Sequence, residues 1–122
     1  MIQGIGTDIV EIERVAQAVA NPRFRERVFT PAERVYCDDC PSAERYAGRF
    51  AAKEAIAKAL GAGLCWQDVE ILPAPNGAPI AHLHGAAAER LAGGVVHVSI
   101  SHSRTHAVAF AIAERRGTTG EE

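Results

Sequence analysis

The chain has 122 residues, of which 48% are hydrophobic and 23% charged, and its formal net charge is −2 at pH 7. These values are typical of a soluble protein with one core that needs no disulfide bonds, and they do not suggest a nucleic-acid-binding protein. No basic leader typical of a secretory signal is present, and the longest candidate apolar run, 107–113, is far short of the roughly 20 residues that span a bilayer. We therefore expect a cytoplasmic protein outside the membrane.

The first 20 residues predict a strand followed by a helix. The segment from Ile2 to Ile12 mixes apolar residues with two glycines and predicts a first strand, which we expect to turn near Asp8 into a helix that runs to about Ala20. Asn21-Pro22 breaks the helical pattern.

Two further helices are predicted from their end signals. Thr30-Pro31-Ala32-Glu33 is a capping box with proline at the first helical position, so a short helix starts there. Pro41-Ser42 predicts the start of a long helix, and Gly61 predicts its end.

The second half of the chain predicts strands joined by turns. A strand is expected at 66–72, a turn at 75–79 with Asn-Gly supplying positive φ, and a short helix at 85–91. The segments 96–101 and 107–113 alternate in polarity and predict a hairpin. We expect residues 1–116 to form a single domain and residues 117–122 to form a polar, frayed tail.

The three cysteines cannot all pair with one another. Cys37 and Cys40 have the spacing of zinc ligands, and His82 and His84 could complete such a site. A structural zinc site usually has a second cysteine pair, so we expect reduced thiols instead.

Positive charge is concentrated between Arg14 and Arg34, a segment that contains five arginines and two glutamates. This excess has two interpretations. It is either a solvated helical face or a docking patch for an acidic partner.

The segment Arg49-Phe50-Ala51-Ala52-Lys53-Glu54-Ala55-Ile56-Ala57-Lys58 places one carboxylate among three cations on an alanine-rich helix. Residues four apart share a face, so Glu54 projects beside Lys58 while Ile56 points toward the core. We expect such a helix to expose a mixed charged rim. Ordinary i,i+4 ion pairing is one explanation, but the dense alanines also leave room for a ligand.

Asp8 follows two glycines that allow close approach to the backbone. It is either the N-cap of a helix or a metal ligand. If Asp8 and Glu54 lie close together in the fold, their two carboxylates could bind magnesium together with phosphate oxygens and water. These are the oxygen ligands that magnesium prefers.

The segment Ser99-Ile100-Ser101-His102 raises the possibility of a serine hydrolase. No Gly-x-Ser-x-Gly elbow is present, which argues against it. Three blocks, Gly4-Ile5-Gly6-Thr7-Asp8, Arg49 to Lys58 and Ser99 to His102, together resemble a holo-acyl-carrier-protein synthase, a small phosphopantetheinyl transferase.

The resemblance extends from Ile2 to about Glu114. It implies an α+β fold with a small antiparallel or mixed sheet packed with a long central helix. It also implies transfer of 4'-phosphopantetheine from coenzyme A to a serine of apo-acyl carrier protein. Two alternatives are a non-catalytic nucleotide- or carrier-binding module and a metal-dependent phosphohydrolase.

Roles follow from the resemblance residue by residue. Asp8 and Glu54 are expected to bind Mg²⁺, or Mn²⁺, and to be catalytic together with Lys58. Glu54 is the expected base, directly or through a metal-bound water. The residues expected to bind coenzyme A are Arg49, Lys53, Lys58, Gly61, Asn76, Gly77, Pro79 and His102.

The resemblance also concerns the turn at 76–79 and the partners of the protein. The family's Asn-Gly-Lys-Pro turn matches 76–79, but Ala78 replaces its lysine, which puts one phosphate or ribose contact in doubt. The family forms homotrimers with active sites between subunits. The residues expected to dock the acyl carrier protein are Arg14, Arg23, Arg25 and Arg27.

Overall fold

The computed structural model describes residues 1–116, and the tail predicted at 117–122 lies outside this part. Five strands and five α-helices follow one another there, with a 3-10 turn at Trp66–Asp68. In chain order they are β1 (Ile2–Glu11), α1 (Ile12–Val19), α2 (Pro22–Val28), α3 (Pro31–Asp38), α4 (Glu44–Leu60), β2 (Val69–Pro73), β3 (Pro79–Leu83), α5 (Gly85–Leu91), β4 (Val95–His102) and β5 (His106–Glu114).

The strands form two antiparallel sheets. The main sheet has the order β1-β5-β4, and β2 pairs with β3 in a separate hairpin. The helix α4 packs against β1 and β5 of the main sheet. The predicted α+β fold, with a small sheet around a long central helix, is confirmed.

Very small residues line the contact between the sheet and α4. On β5 the buried face is made of alanines, and they pack with the alanines of α4. On β1, a Cβ atom added to Gly4 or Gly6 would overlap the carbonyl oxygen of Ala59 or Ala55. The backbones of β1 and α4 therefore lie in direct contact.

Several local predictions are confirmed. Both hydrogen bonds of the capping box between Thr30 and Glu33 form. Gly61 ends α4 in the left-handed conformation with φ of 75°, which suits glycine. The short helix at 85–91 and the β4–β5 hairpin also form as expected.

Other predictions are corrected. The first strand continues to Glu11, so Asp8 lies inside β1 and cannot cap a helix. The helix α2, which Asn21 caps, was not predicted. The strand expected from residue 66 begins at Val69, after the 3-10 turn.

The prediction that α4 exposes a mixed charged rim is also wrong in part. Arg49 and Lys53 are only 6% and 2% exposed, because neighbouring segments cover α4 on most sides. Within residues 1–116, no helix combines the length and the apolar character needed to cross a membrane.

Candidate active site

The contact between β1 and α4 brings Asp8 and Glu54 together. Gly6 and Asp8 are two residues apart on β1 and therefore share the strand face that packs on α4. Glu54 is the α4 neighbour of Ala55, whose carbonyl oxygen meets Gly6. Both carboxylates line one groove of about 550 Å³. The convergence that the sequence left open is therefore present.

Lys58 completes this group from the next turn of α4. Its Nζ donates to the carbonyl oxygen of Thr7 at 2.9 Å and lies 3.4 Å from Oδ1 of Asp8. The Lys58 side chain is 57% exposed and that of Asp8 is 18% exposed. Lys58 can therefore reach an anionic ligand while it stays beside Asp8.

The environment of Glu54 disfavours its ionised form. Burial is the main cause that raises the pKa of Glu54 above its ordinary value, and the charge of Asp8 raises it further. Lys58 acts in the opposite direction. One ammonium group for two carboxylates leaves an excess of negative charge that a bound cation would neutralise.

The groove extends from the carboxylates to α1. It is lined there by Arg14, Val15 and Ala18, and Phe24 and Phe50 form its apolar wall. An arginine predicted to dock a partner and the two predicted metal ligands therefore share one groove.

The other three arginines of the predicted docking patch differ in their surroundings. Arg23 and Arg27 are exposed on α2. Arg25 instead pairs with Asp38 at 2.9 Å, and its Nη1 also contacts the hydroxyl of Tyr46. Among residues 1–116, no ion pair holds Arg23 or Arg27, whereas Arg25 is paired within its own chain.

Four of the residues expected to bind coenzyme A meet in a second cavity of about 210 Å³. Arg49 and Glu54 are five residues apart on α4, which rotates them by about 140° around the helix axis. This second cavity therefore opens on a different side of α4 from the carboxylate groove. The expected coenzyme residues in its lining are Arg49, Gly77, Pro79 and His102.

Asn76 and Gly61, which were also expected to bind coenzyme A, lie outside the lining of the second cavity. The Asn76 side chain accepts a hydrogen bond from the backbone N–H of Ala78 at 3.0 Å, and Gly77 follows with φ of 89°, so Asn76 shapes the turn. The carbonyl oxygen of Gly61 accepts a hydrogen bond from Arg90. Neither residue is part of the lining of the second cavity.

The prediction that Lys53 binds coenzyme A does not agree with its position in the structure. Its Nζ pairs with Oε1 of Glu33 at 2.7 Å and donates to the carbonyl oxygens of Val28 and Trp66 at 2.8 and 2.9 Å. These three partners use all three N–H groups of a side chain that is only 1% exposed. Burial lowers the pKa of Lys53, and the charge of Glu33 opposes this effect. Lys53 holds α4 to α2 and α3 instead of contacting a phosphate.

Sequence reasoning missed three residues around these cavities. Trp66 stacks on Phe50 with ring centroids 5.4 Å apart, beside a small cavity that also contains Glu54. Arg45 and Tyr36 line the second cavity with Arg49. The i,i+4 spacing of Arg45 and Arg49 was a usable signal, whereas nothing local marks Tyr36 or Trp66.

The cysteines are free thiols. Cys37 is buried, and burial raises the pKa of its thiol to about 12. No group of three or more metal-ligating side chains occurs among residues 1–116, so the zinc alternative has no support there.

Comparison with known proteins identifies relatives across almost the whole chain. Residues 4–111 match the sequence profile of the 4'-phosphopantetheinyl transferase superfamily. A holo-[acyl-carrier-protein] synthase of Geobacillus kaustophilus (strain HTA426) is 48% identical over 125 residues, which cover 96% of this chain and 92% of the relative. One of Koribacter versatilis (strain Ellin345) is 45% identical over 124 residues, covering 93% and 99%.

Solved structures agree with these matches. A holo-(acyl-carrier-protein) synthase from Bacillus anthracis in complex with CoA (3',5'-ADP) superposes with a TM-score of 0.82 at 36% identity, over 95% of this chain and 99% of that one. A Helicobacter pylori holo-[acyl-carrier-protein] synthase in complex with coenzyme A gives a TM-score of 0.79 at 34% identity, over 88% and 96%.

Proposed function

The chain belongs to the 4'-phosphopantetheinyl transferase superfamily, and we propose that its reaction takes place at the groove that holds Asp8 and Glu54. The enzyme transfers the 4'-phosphopantetheine group of coenzyme A to a serine of apo-acyl carrier protein, in fatty acid biosynthesis. The second product is adenosine 3',5'-bisphosphate. The observation that supports this site best is the convergence of Asp8, Glu54 and Lys58.

A divalent cation fits the two carboxylates. Asp8 and Glu54 carry an excess of negative charge, and the described residues provide no third carboxylate, histidine or cysteine for a complete protein site. Mg²⁺ commonly binds through one or two carboxylates together with substrate phosphates and water, so this donor set suits Mg²⁺, with Mn²⁺ as the alternative. When bound, the cation would neutralise charge on the pyrophosphate of coenzyme A.

The protein groups then have distinct roles in the transfer. The Oγ atom of the carrier serine forms a bond to the β-phosphorus, and the bond from that phosphorus to the bridging oxygen breaks. Glu54 accepts the serine proton, directly or through a water molecule, because it is a carboxylate that lines the groove beside Asp8, where the serine would attack. Lys58 is exposed and stands beside Asp8, where its charge stabilises the departing phosphate.

We assign the carrier protein to the α1 and α2 side of this groove. Arg14 lines the groove, and Arg23 and Arg27 are exposed nearby in sequence, so this side offers positive charge to an acidic partner. The carrier serine would then approach the carboxylates along the apolar wall of Phe24 and Phe50.

We further propose a homotrimer whose active sites lie between subunits. The outer face of the main sheet exposes Ile5, Ile9 and Phe110 by 65%, 65% and 53%, an apolar surface suited to a second copy. A neighbouring subunit could also place its Arg49 cavity opposite the carboxylate groove. A cytoplasmic location stays a prediction from the sequence.

The proposed trimer can be tested by measuring the mass of the protein in solution and by mixing subunits of two inactive variants. Phe110→Lys should yield monomers in analytical ultracentrifugation, whereas Val35→Lys, at an exposed position on α3, should not. Inactive Asp8→Ala and Arg49→Ala subunits, refolded together, should recover part of the activity because some interfaces pair two intact halves. A monomeric wild-type protein with full activity would contradict the proposal.

The transfer itself is tested by weighing the carrier. Incubation with coenzyme A, Mg²⁺ and an apo-carrier should add the mass of phosphopantetheine to the carrier. A non-catalytic binding module would leave the carrier mass unchanged, and a phosphohydrolase would break down coenzyme A without any carrier.

A further inference from the structure

Glu33 is fully buried, and the proposed transfer does not use its carboxylate. Its partner Lys53 directly precedes Glu54 on α4. We propose that Glu33 is a positioning residue for the transfer, because through Lys53 it fixes the direction in which Glu54 enters the carboxylate groove. This inference rests on the proposed function, in which Glu54 accepts the serine proton.

The carboxylate of Glu33 joins three elements of the fold. Its Oε1 accepts a hydrogen bond from the backbone N–H of Thr30 at 2.9 Å and lies 2.7 Å from Nζ of Lys53. Its Oε2 accepts from the backbone N–H of Ile71 at 2.7 Å. The start of α3, the middle of α4 and the strand β2 therefore meet on one side chain. Short hydrogen bonds to an ionised acceptor in a dry interior are strong and directional.

Lys53 extends this network to the wall of the carboxylate groove. Its Nζ also donates to the carbonyl oxygens of Val28 at 2.8 Å and of Trp66 at 2.9 Å. The Trp66 ring stacks on Phe50 with centroids 5.4 Å apart, and Phe50 is part of the apolar wall of that groove. The position of this aromatic wall therefore depends on the same lysine that precedes Glu54.

The helix α4 is held on two opposite sides next to Glu54. On one side Ala55 meets Gly6 of β1 backbone to backbone. Lys53 lies two residues earlier, which places it about 200° away around the helix axis. The contact with Gly6 limits how closely the helix approaches the strand, whereas the bonds of Lys53 fix the rotation of the helix. Glu54 lies between these two anchors in the chain, so its direction depends on both.

Stability alone does not explain an ion pair at this place. Burial lowers the pKa of Lys53 and so disfavours its charged form, and the charge of Glu33 opposes this effect. Apolar residues of similar volume often replace a buried ion pair at no cost in stability. The surroundings are already apolar, with Val28 and Phe29 fully buried beside the pair. What the pair adds is a set of bonds with fixed directions beside a residue whose position matters for the reaction.

The test is Glu33→Asp, which keeps the charge but withdraws the carboxylate by one methylene group. Lys53 must then shift or lose a bond, and a displacement of about 1 Å in a site can cost about a hundredfold in rate. At a temperature where circular dichroism shows folded protein, we expect kcat to fall about tenfold or more. The KM values for coenzyme A and for the carrier should stay unchanged.

Leu83→Ala is the control for stability. Leu83 is partly buried on β3 and packs against the core, so this variant should have a lower melting temperature and an unchanged kcat. A wild-type kcat in folded Glu33→Asp would overturn the proposal. A comparable fall of kcat in Leu83→Ala would also overturn it, because the effect would then follow from lost stability.

The fluorescence of Trp66 tests the same network without the reaction, since Trp66 is the only tryptophan of the chain. We expect acrylamide to quench Trp66 more strongly in Glu33→Asp, because the bond to its carbonyl oxygen and the stacking on Phe50 both loosen. Quenching in Leu83→Ala should match the wild type. Unchanged quenching in Glu33→Asp would show that Glu33 does not hold the aromatic wall.

A second variant covers the case in which Glu33→Asp does not fold. Glu33→Gln combined with Lys53→Met contains no buried charge at this place but lacks the bonds from Nζ to Val28 and Trp66. Its kcat should be low at temperatures where it is folded, and a kcat equal to that of the wild type would refute the positioning role. Absence of transfer in the wild type would instead contradict the proposed function, and the quenching of Trp66 would still decide whether Glu33 holds this network.

Discussion

Gly6 of β1 and Ala55 of α4 meet backbone to backbone, so that a Cβ atom on Gly6 would overlap the carbonyl oxygen of Ala55. Asp8 lies two residues after Gly6, and Glu54 lies directly before Ala55. The separation of the two carboxylates is therefore set by a contact between main chains.

We predict that Gly6→Ala forces β1 and α4 apart. Overpacking of this kind costs about 1–3 kcal/mol of unfolding free energy, and a shift of about 1 Å in the site can cost about a hundredfold in rate. Urea unfolding and the transfer rate measure both effects. Gly63→Ala is the matched control for stability, because nothing lies within 4 Å of an added Cβ there. Unchanged stability and rate in Gly6→Ala would contradict the tight packing.

Replacing either carboxylate should stop transfer without unfolding the protein. We expect Asp8→Ala and Glu54→Ala each to lower the rate at least about a hundredfold, because both lose electrostatic stabilisation of the reacting phosphate. Glu54→Asp should stay slow at saturating Mg²⁺, since a shorter side chain misplaces the proton acceptor. Recovery of Glu54→Asp to near the wild-type rate would leave Glu54 as a metal ligand only.

The raised pKa of Glu54 can be measured in metal-free protein by NMR of the labelled carboxyl carbon. We expect Glu54 to titrate above an ordinary glutamate, so that it is protonated first as the pH falls. Lys58→Gln removes the charge that lowers the pKa of Glu54, and the titration should move to still higher pH. Lys58→Arg keeps the charge and should leave the midpoint nearly unchanged. A downward shift in Lys58→Gln would show that the lysine charge does not act on Glu54.

Lys53 and Glu33 should behave as a buried pair. Lys53→Met leaves the carboxylate of Glu33 buried without its partner, which typically costs about 3–5 kcal/mol of stability. Adding Glu33→Gln removes the unpaired charge but sets an amide NH2 against the backbone N–H of Thr30 or Ile71, so it should restore only part of that loss. The KM for coenzyme A of the folded variants should change little, whereas a phosphate-binding lysine would raise the KM without loss of stability.

Charge reversal at Arg14 should affect the carrier and not the coenzyme. We expect Arg14→Glu to raise the KM for the carrier and to flatten its salt dependence, because an exposed charge at the groove is reversed. Arg25→Glu is the comparison, since Arg25 pairs with Asp38 and its reversal should mainly lower stability. An equal rise in the KM for coenzyme A would move Arg14 out of the carrier surface.

Local signals in the sequence predicted local structure well. The Thr30–Glu33 capping box and the glycine at the end of α4 depend on neighbours a few residues away, so their patterns were sufficient. The position of Asp8 depended on a distant helix. Gly4 and Gly6 contact the backbone of α4, and nothing near them in the sequence indicates that partner, so the sequence predicts a turn near Asp8 whereas the strand continues to Glu11.

The roles of the α4 cations could not be read from spacing either. Arg49 and Lys53 are part of one stripe in the sequence, yet one lines a cavity and the other is paired inside the protein. Glu33, the partner of Lys53, is 20 residues away and already explained by the capping box. Only the packing of α3 on α4 gives Glu33 its second role.

The alanine contact between α4 and β5 affects how many packing arrangements the two elements can adopt. Alanine has no side-chain rotamers to lose, so this contact forms at a small cost in side-chain entropy and offers no alternative packing arrangements. Alanine also buries little apolar area, so much of the hydrophobic driving force must come from larger side chains such as Phe29 and Ile56. The fold thus separates two tasks: bulky residues stabilise the protein, and the smallest ones keep the carboxylates at a fixed spacing before any substrate binds.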